Sequence, residues 1–318
     1  MIRRRARADD VLDSGRAWVT VGAAFVAMAV VFGVAYSFGA FFAPMAAEFG
    51  TGSGATSLVF SITACCWFLL GSVSGRAVDR FGPRPVLLVG AVALAIGLLV
   101  TSAARQLWVG YLGYGLGVGV AVACGYVPMV AAVSAWFDRH RAFAVGVAVA
   151  GIGVGTLAGA PLAATLIAEY GWRRAHVLLG VGGSLLLVVA AMAAHRPPPS
   201  VGDEPWALRD VVRSGGFRAM YVATFLASVA LFVPFVYLPT AALAEGVSPV
   251  AAAALIGVIG VASVVGRLAI GALADRVGRV RTFQASFAVL AASFVIWLVG
   301  GSWPGLLAFA VVLGTGYG

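Results

Sequence analysis

The chain contains no lysine and few charges of either sign. Of its 318 residues, 10% are charged and 62% are hydrophobic, and the mean hydropathy is +1.02. Roughly a quarter of the residues in a soluble domain are charged, because most of the surface of such a domain faces water. These values exclude a soluble globular protein. They indicate an integral membrane protein with several membrane-spanning helices.

Cysteine is also scarce. Cys65, Cys66 and Cys124 are the three in the sequence, each lies within an apolar run, and their spacing does not match that of metal ligands. We therefore expect them to be small buried apolar residues. The sequence also offers no pair of nucleophile and base. It predicts neither a metal nor a cofactor, and it does not predict an enzyme.

Because lysine is absent, all 21 basic residues are arginines, and the net charge is +9. They are spread over short loops instead of one soluble face, so we do not expect nucleic acid as a partner. If the N-terminus is cytoplasmic, the predicted inner segments hold 17 arginines and the outer loops hold Arg105, Arg173 and Arg174. The positive-inside rule then favours a cytoplasmic N-terminus.

Long apolar runs are what the chain has most of. A hydrocarbon layer of about 30 Å needs about 20 apolar residues per helix, and the runs predict spans near 17–43, 55–77, 86–104, 107–134, 142–167, 174–194, 218–243, 248–273 and 283–300, with a tenth starting at 304. The sequence predicts an all-α polytopic membrane protein. Its expected parts are a six-helix half (1–194), a polar cytoplasmic linker (195–217) and a partial second half (218–318).

A charged segment occurs twice, each time between two apolar runs. The first copy contains Gly75, Asp79, Arg80, Gly82 and Arg84, and the second contains Gly271, Asp275, Arg276 and Gly278. This segment, the "cassette", resembles the loop between the second and third helices of major facilitator transporters. The resemblance implies two parallel six-helix repeats, of which the second is truncated here, and a cytoplasmic latch formed by the cassette residues. We expect the N-terminus of the fifth helix to face Asp275 across the two halves.

Arg267 is the one charged residue predicted to lie well inside a span. It precedes Asp275 by eight residues, or about 12 Å of helix. A charge at that depth costs at least about 2.5 kcal/mol, so it normally faces a cavity or a partner. Guanidinium can offer a carboxylate two parallel donors, which favours a substrate anion. The alternative is a structural arginine that reaches the inner interface or caps carbonyl groups.

A narrower resemblance lies in the segment 136–155. Its aromatic pair Trp136-Phe137, its basic residues and its glycine spacing are similar to the start of the fifth helix in monocarboxylate porters and in the bacterial oxalate:formate antiporter-like group. This resemblance implies a monomeric transporter of small organic anions, above all monocarboxylates, in a bacterial inner membrane. It implies proton symport or anion exchange by alternating access. Animal members carry an aspartate and a lysine where this chain has Ser263 and, near enough, Ala40.

Aromatic residues within the spans are further candidates for the substrate site. Tyr36 and Tyr126 lie in apolar helices of the first half, where a buried phenol needs a partner. Phe235 and Tyr237 could wall the same pocket, and for all four the alternative is ordinary packing or, for a tyrosine, the membrane interface. His176 follows two arginines of an outer loop, which favours an interfacial histidine over a proton relay.

Two other readings of the chain stay open. Gly151, Gly155 and Gly159 share one face of the fifth helix and predict close helix contact, but the pattern also approaches a motif of drug:proton antiporters. Drug efflux would require acidic groups in the pore, and no aspartate or glutamate lies deep in a predicted span. The missing helices favour a third reading, a non-transporting sensor or a degenerate remnant.

Overall fold

The computed structural model describes residues 12–138, 140–198, 213–300 and 302–317, and the side chains of 142, 268, 271–277 and 279 fall outside that description. Within these ranges the chain forms a bundle of helices that we number as spans 1 to 10. They are Gly15–Phe49, Ser53–Phe81, Pro83–Ser102, Leu107–Trp136, 141–170, 172–193, Gly215–Ala244, Pro249–Val277, Arg279–Val299 and Trp303–Tyr317. The all-α architecture is confirmed. Among the described residues, eight helices are long and apolar enough to cross a membrane when spans 5 and 6 are taken together, and Trp303–Tyr317 is a shorter apolar helix. The predicted linker lies largely outside the described residues.

Spans 5 and 6 are two helices that follow each other directly, and the chain turns back at Gly171. This residue has φ 78° and ψ 158°, a left-handed conformation that glycine adopts without steric penalty. The sequence predicts a short loop between 167 and 174, whereas the structure has a break at one residue. Following the predicted orientation, we call the end of the bundle with Gly50 and Gly171 the outer end, and the end with Gly15 and Gly82 the inner end.

Spans 1, 4 and 7 are each interrupted near their middle. The helix of span 1 breaks at Ser37, that of span 4 at Tyr126 and that of span 7 at Phe232. In spans 4 and 7 a proline follows two residues later, and proline removes one backbone hydrogen bond from the helix. Irregular backbone at membrane depth is stable only where it is buried in protein or lines a cavity. Ser37 is buried, and Tyr126 and Phe232 are half-buried.

The predicted close contact of the glycine face of span 5 is confirmed. A side chain at each of these glycines would meet the backbone of span 1: Gly151 lies against Phe25, Gly155 against Ala29 and Gly159 against Gly33. Helices in lipid associate mainly through such close packing of small residues, because lipid supplies no hydrophobic drive between them. Span 1 is thereby fixed along span 5.

Two lines of contact join the predicted halves, which are spans 1 to 6 and spans 7 to 10. Along spans 5 and 8, Gly153 lies against the backbone of Gly260, and Gly257 lies against Leu157. At the outer end, Gly39 of span 1 lies against the carbonyl oxygen of Phe235 and the ring of Pro239 on span 7. Both lines depend on glycine at the point of closest approach. The outer half of span 1 is consequently packed against span 7.

The two cassettes share a backbone feature. Gly82 (φ 86°) ends span 2, and Gly278 (φ 99°) stands at the same place between spans 8 and 9. In the first copy, Arg196 Nη2 donates to the carbonyl oxygens of Asp79 and Arg80, at 3.4 and 3.2 Å. This contact satisfies carbonyl groups at the end of span 2 that have no partner within the helix.

The expectation that all three cysteines are buried is wrong. Cys124 is buried, Cys66 is half-buried and Cys65 is exposed on the surface of the bundle. Exposure inside a span means contact with lipid, which a thiol tolerates as a small apolar group. Among the described residues, no group of three or more histidine, cysteine or acidic side chains could hold a metal ion.

Candidate substrate site

Arg267 lies half-buried on span 8 between the two halves of the protein. Its Nη1 donates a hydrogen bond of 3.0 Å to the carbonyl oxygen of Val149 on span 5. Its Cζ lies 5.6 Å from the centre of the Tyr317 ring on span 10, within the range of a cation–π interaction. The guanidinium is thus held by a carbonyl group and an aromatic face. Guanidinium has five N–H donors, and the contact with Val149 uses the Nη1 group.

Tyr36 stands opposite, at the break of span 1. Its ring is stacked on Phe235 with centroids 3.9 Å apart, and its hydroxyl lies 3.1 Å from the hydroxyl of Tyr317. Tyr36 is 1% exposed and Phe235 is fully buried. The structure therefore brings together the predicted residues Arg267, Tyr36 and Phe235, and Tyr317 joins the guanidinium to the tyrosine pair.

Tyr126 reaches this cluster through Phe32. The ring of Phe32 lies edge-on to Tyr126 at 5.4 Å, and it is also 5.4 Å from Tyr36 and 5.0 Å from Trp67. Among the described residues, Tyr237 makes no direct ring contact with Tyr36, Phe235 or Tyr126. It packs on Phe42 of span 1 at 5.5 Å, towards the outer end. Because Phe235 and Tyr237 are two residues apart on one helix, they point in different directions.

Sequence reasoning missed Tyr317, Phe32 and Trp67. For Tyr317 a signal was present, since it follows Gly314 and Gly316 in a helix whose small residues permit close approach. Gly266 lies against the backbone of Thr315, so span 10 can approach span 8 next to Arg267. A glycine directly before a half-buried arginine indicates that a neighbouring backbone comes close to it. Phe32 and Trp67 carried no such signal.

The predicted latch is only partly described. Asp79, Arg80 and Arg84 are exposed at the inner end, Gly75 is half-buried, and Gly82 forms the turn. Arg84 Nη2 lies 2.8 Å from the Met192 sulfur on span 6 of the same half. Gly271 and the side chains of Asp275 and Arg276 lie outside the described residues. The pairing of Asp275 with span 5 stays a prediction.

At the outer end, Glu48 connects spans 1, 3 and 6. Its carboxylate accepts a hydrogen bond of 2.6 Å from Arg173 Nη2 and a second from Trp172 Nε1, while Arg173 Nη1 donates to the carbonyl oxygen of Ser102 at 2.7 Å. One turn inward lies His176, which is fully buried. The prediction of an interfacial histidine is wrong. Span 6 begins directly after the turn at Gly171, and the rings of Phe41, Tyr114 and Trp172 surround the histidine.

The comparisons with known proteins agree with this fold. The model of the Major Facilitator Superfamily matches residues 23–318. A crystal structure of a bacterial homolog of the human lysosomal transporter Spinster, in an inward-facing and unoccupied conformation, superposes with a TM-score of 0.74. The superposition covers 96% of this chain and 74% of the chain in that structure, at 15% sequence identity. This likeness therefore concerns the fold alone. The chain belongs to the Major Facilitator Superfamily.

Within that superfamily the chain is similar to monocarboxylate transporters. Monocarboxylate transporter 13 of Bos taurus is 36% identical over 270 residues, which cover 83% of this chain and 63% of the relative. Monocarboxylate transporter 3 of Rattus norvegicus is 33% identical over 324 residues, which cover 96% and 66%. Monocarboxylate transporter 11 of Homo sapiens is 31% identical, with 96% and 68% covered. The chain thus spans about two thirds of the length of these relatives.

Proposed function

We propose that the full-length protein is a secondary transporter of small organic anions, most of all monocarboxylates, and that Arg267 binds the carboxylate. The observation that carries this proposal is the position of Arg267. It lies half-buried between the predicted halves, where it contacts the carbonyl group of Val149 and the ring of Tyr317. Binding between two repeats lets one site be exposed alternately to each side of the membrane. The similarity to mammalian monocarboxylate transporters supports the same class of substrate.

The chemistry of the site fits an anion with a short apolar body. Arg267 supplies the positive charge, and its contacts with Val149 and Tyr317 fix the plane of the guanidinium, so that less rotamer freedom is lost on binding. The hydroxyls of Tyr36 and Tyr317 are donors that can turn towards a carboxylate oxygen. Phe235 and Phe32 provide the apolar wall. Span 10 therefore contributes to recognition together with spans 1, 7 and 8.

The orientation and the location belong to this proposal. The excess of arginine in the predicted inner segments supports a cytoplasmic N-terminus. The resemblance to the oxalate:formate antiporter-like group supports a bacterial inner membrane, whereas the relatives named above come from mammals. Proton symport and anion exchange remain the two modes to separate by experiment.

Uptake by the full-length protein in proteoliposomes tests the proposal. Labelled lactate, pyruvate, oxalate and formate are offered with and without a pH gradient, to the parent protein and to the Arg267→Ala variant. We expect Arg267→Ala to lose roughly tenfold or more in affinity, as for a lost hydrogen bond to a charged group. Arg105→Ala is the matched control, because Arg105 is exposed in an outer loop. Uptake by Arg267→Ala with unchanged affinity would overturn the assignment.

A further inference from the structure

Among the described residues, the titratable groups that are buried outside the substrate site include a histidine. His176 on span 6 is fully buried, and its ring lies among the rings of Phe41 on span 1, Tyr114 on span 4 and Trp172 on its own span. The centroid distances are 3.9, 5.8 and 5.6 Å. A histidine enclosed by three aromatic rings from three spans is not an ordinary interfacial residue, and its imidazole is able to take up a second proton.

Its hydrogen bonding determines the tautomer. Nδ1 lies 3.0 Å from the carbonyl oxygen of Trp172, and a carbonyl oxygen can only accept, so Nδ1 carries the proton of the neutral ring. Nε2 then bears a lone pair, and among the described residues it is buried with no hydrogen-bond partner. A buried acceptor without a donor is costly and calls for an explanation. Uptake of a proton from water at Nε2 needs no other reactant, and it turns this unpaired acceptor into an N–H donor.

The aromatic enclosure contacts span 1 on both sides of its break at Ser37. Phe41 belongs to the outer half of span 1. Tyr114 donates from its hydroxyl to the carbonyl oxygen of Val34, at 2.7 Å, in the last turn of the inner half. The hydroxyl of Ser37 donates to the same oxygen at 2.8 Å. His176 therefore contacts Tyr114, which binds the inner half of span 1, and Phe41, which belongs to the outer half.

The outer half of span 1 is also the segment that meets the second half of the protein. Gly39 lies against span 7, and Phe42 packs on Tyr237. Among the described residues, the ionisable groups that contact the enclosure or belong to it are Tyr114 and Glu48, which accepts hydrogen bonds from Trp172 and from Arg173 on the span of the histidine. A second proton on His176 would put a positive charge and a new N–H donor where the described ring faces offer no oxygen acceptor. Relief requires the enclosure to open towards water or towards Glu48.

We propose that His176 is a proton-binding site, and that its protonation releases the outer half of span 1 from span 7. Acidity on the outer side would then favour opening of that side. The chemical step is the addition of one proton from water to Nε2 and its return to water on closing. This inference rests on the proposed transport function for its purpose, but the movement that it describes needs no substrate.

Distances between spin labels test the movement directly. Labels are placed at Ser53→Cys and Ser248→Cys, two exposed positions at the outer ends of spans 2 and 8, after Cys65, Cys66 and Cys124 have been replaced by alanine. In the full-length protein without substrate, we expect the population with a long label separation to grow as the pH falls from 8 to 5. His176→Gln and His176→Phe should abolish this change, and thermal unfolding of both variants shows whether they are folded. His140→Gln, at an exposed histidine, should keep it.

The outcomes separate the two proposals. A separation that does not depend on pH in the parent protein, or one that depends on pH equally in folded His176→Gln and His176→Phe, overturns the inference. Uptake measured on the same samples adds the second arm: His176→Gln should flatten the pH dependence of uptake while exchange at equal pH continues. If Arg267→Ala leaves uptake intact, the proposed substrate site fails, whereas the spin-label result stands independently.

Discussion

Arg267 of span 8 donates a hydrogen bond of 3.0 Å to the carbonyl oxygen of Val149 on span 5, across the seam between the two halves. This contact bears on both interpretations of the arginine, as a structural residue and as a residue that binds substrate. It shows that a carbonyl group is capped, and it also fixes the guanidinium beside Tyr317 and the aromatic cluster. The consequences can be measured separately, because capping affects stability and anion binding affects transport.

The first prediction concerns replacement of Arg267 by lysine. Lysine keeps the positive charge, but it has no planar group to donate to Val149 while facing Tyr317 and an anion. We expect Arg267→Lys to weaken the affinity for a monocarboxylate roughly tenfold, as for the loss of one charge-assisted hydrogen bond. The measurement is the concentration dependence of uptake. A substrate affinity equal to that of the parent would show that charge alone suffices.

The second prediction concerns the hydroxyl pair of Tyr36 and Tyr317. Either single phenylalanine variant leaves the other hydroxyl without this partner, whereas the double variant removes both. Hydrogen bonds between membrane helices contribute about 0.6 kcal/mol on average. We expect each single variant to lower the melting temperature slightly, and the double variant to lower it by less than the sum. Strict additivity would contradict a direct interaction of the two hydroxyls.

A matched pair of glycines on span 5 provides the third prediction. A Cβ at Gly155 would collide with the carbonyl oxygen of Ala29, while a Cβ at Gly146 would meet nothing within 4 Å. Gly155→Ala should therefore destabilise the protein by about 1–3 kcal/mol, in the range of overpacked sites. Gly146→Ala should be neutral or slightly stabilising, because alanine favours the helix. Thermal unfolding in detergent checks both. Equal melting temperatures would show that spans 1 and 5 separate without cost.

The fourth prediction concerns the ion pair of Glu48 and Arg173. The side chains are 43% and 36% exposed, so water screens their attraction despite the distance of 2.6 Å. Exposed pairs typically contribute 0.2–1 kcal/mol. We expect a double-mutant cycle with Glu48→Gln and Arg173→Gln to give a coupling energy below about 1 kcal/mol. A much larger value would mean that Trp172 and the carbonyl of Ser102 make this connection cooperative.

By itself the sequence determined the class of protein. Composition and the length of the apolar runs require a membrane bundle, because a hydrocarbon layer accepts only helices whose backbone groups are satisfied internally. The repeated cassette indicated the superfamily, and the glycine spacing of span 5 correctly predicted close packing. Arg267 was recognisable because a charge inside an apolar run is costly. These are local properties, readable from one helix at a time.

Tertiary structure decided which side chains meet. Tyr317 is 50 residues from Arg267 and 281 from Tyr36, and no periodicity in one helix can show that glycines bring their backbones together. Tyr237 was grouped with Phe235 because the two are close in sequence, yet the helix turns them in different directions. His176 was placed at the interface because of its neighbours in the sequence, but the rings of Phe41 and Tyr114, which come from two other spans, bury it. Contacts across spans depend on the packing of several helices at once, and that information is not contained in any single segment.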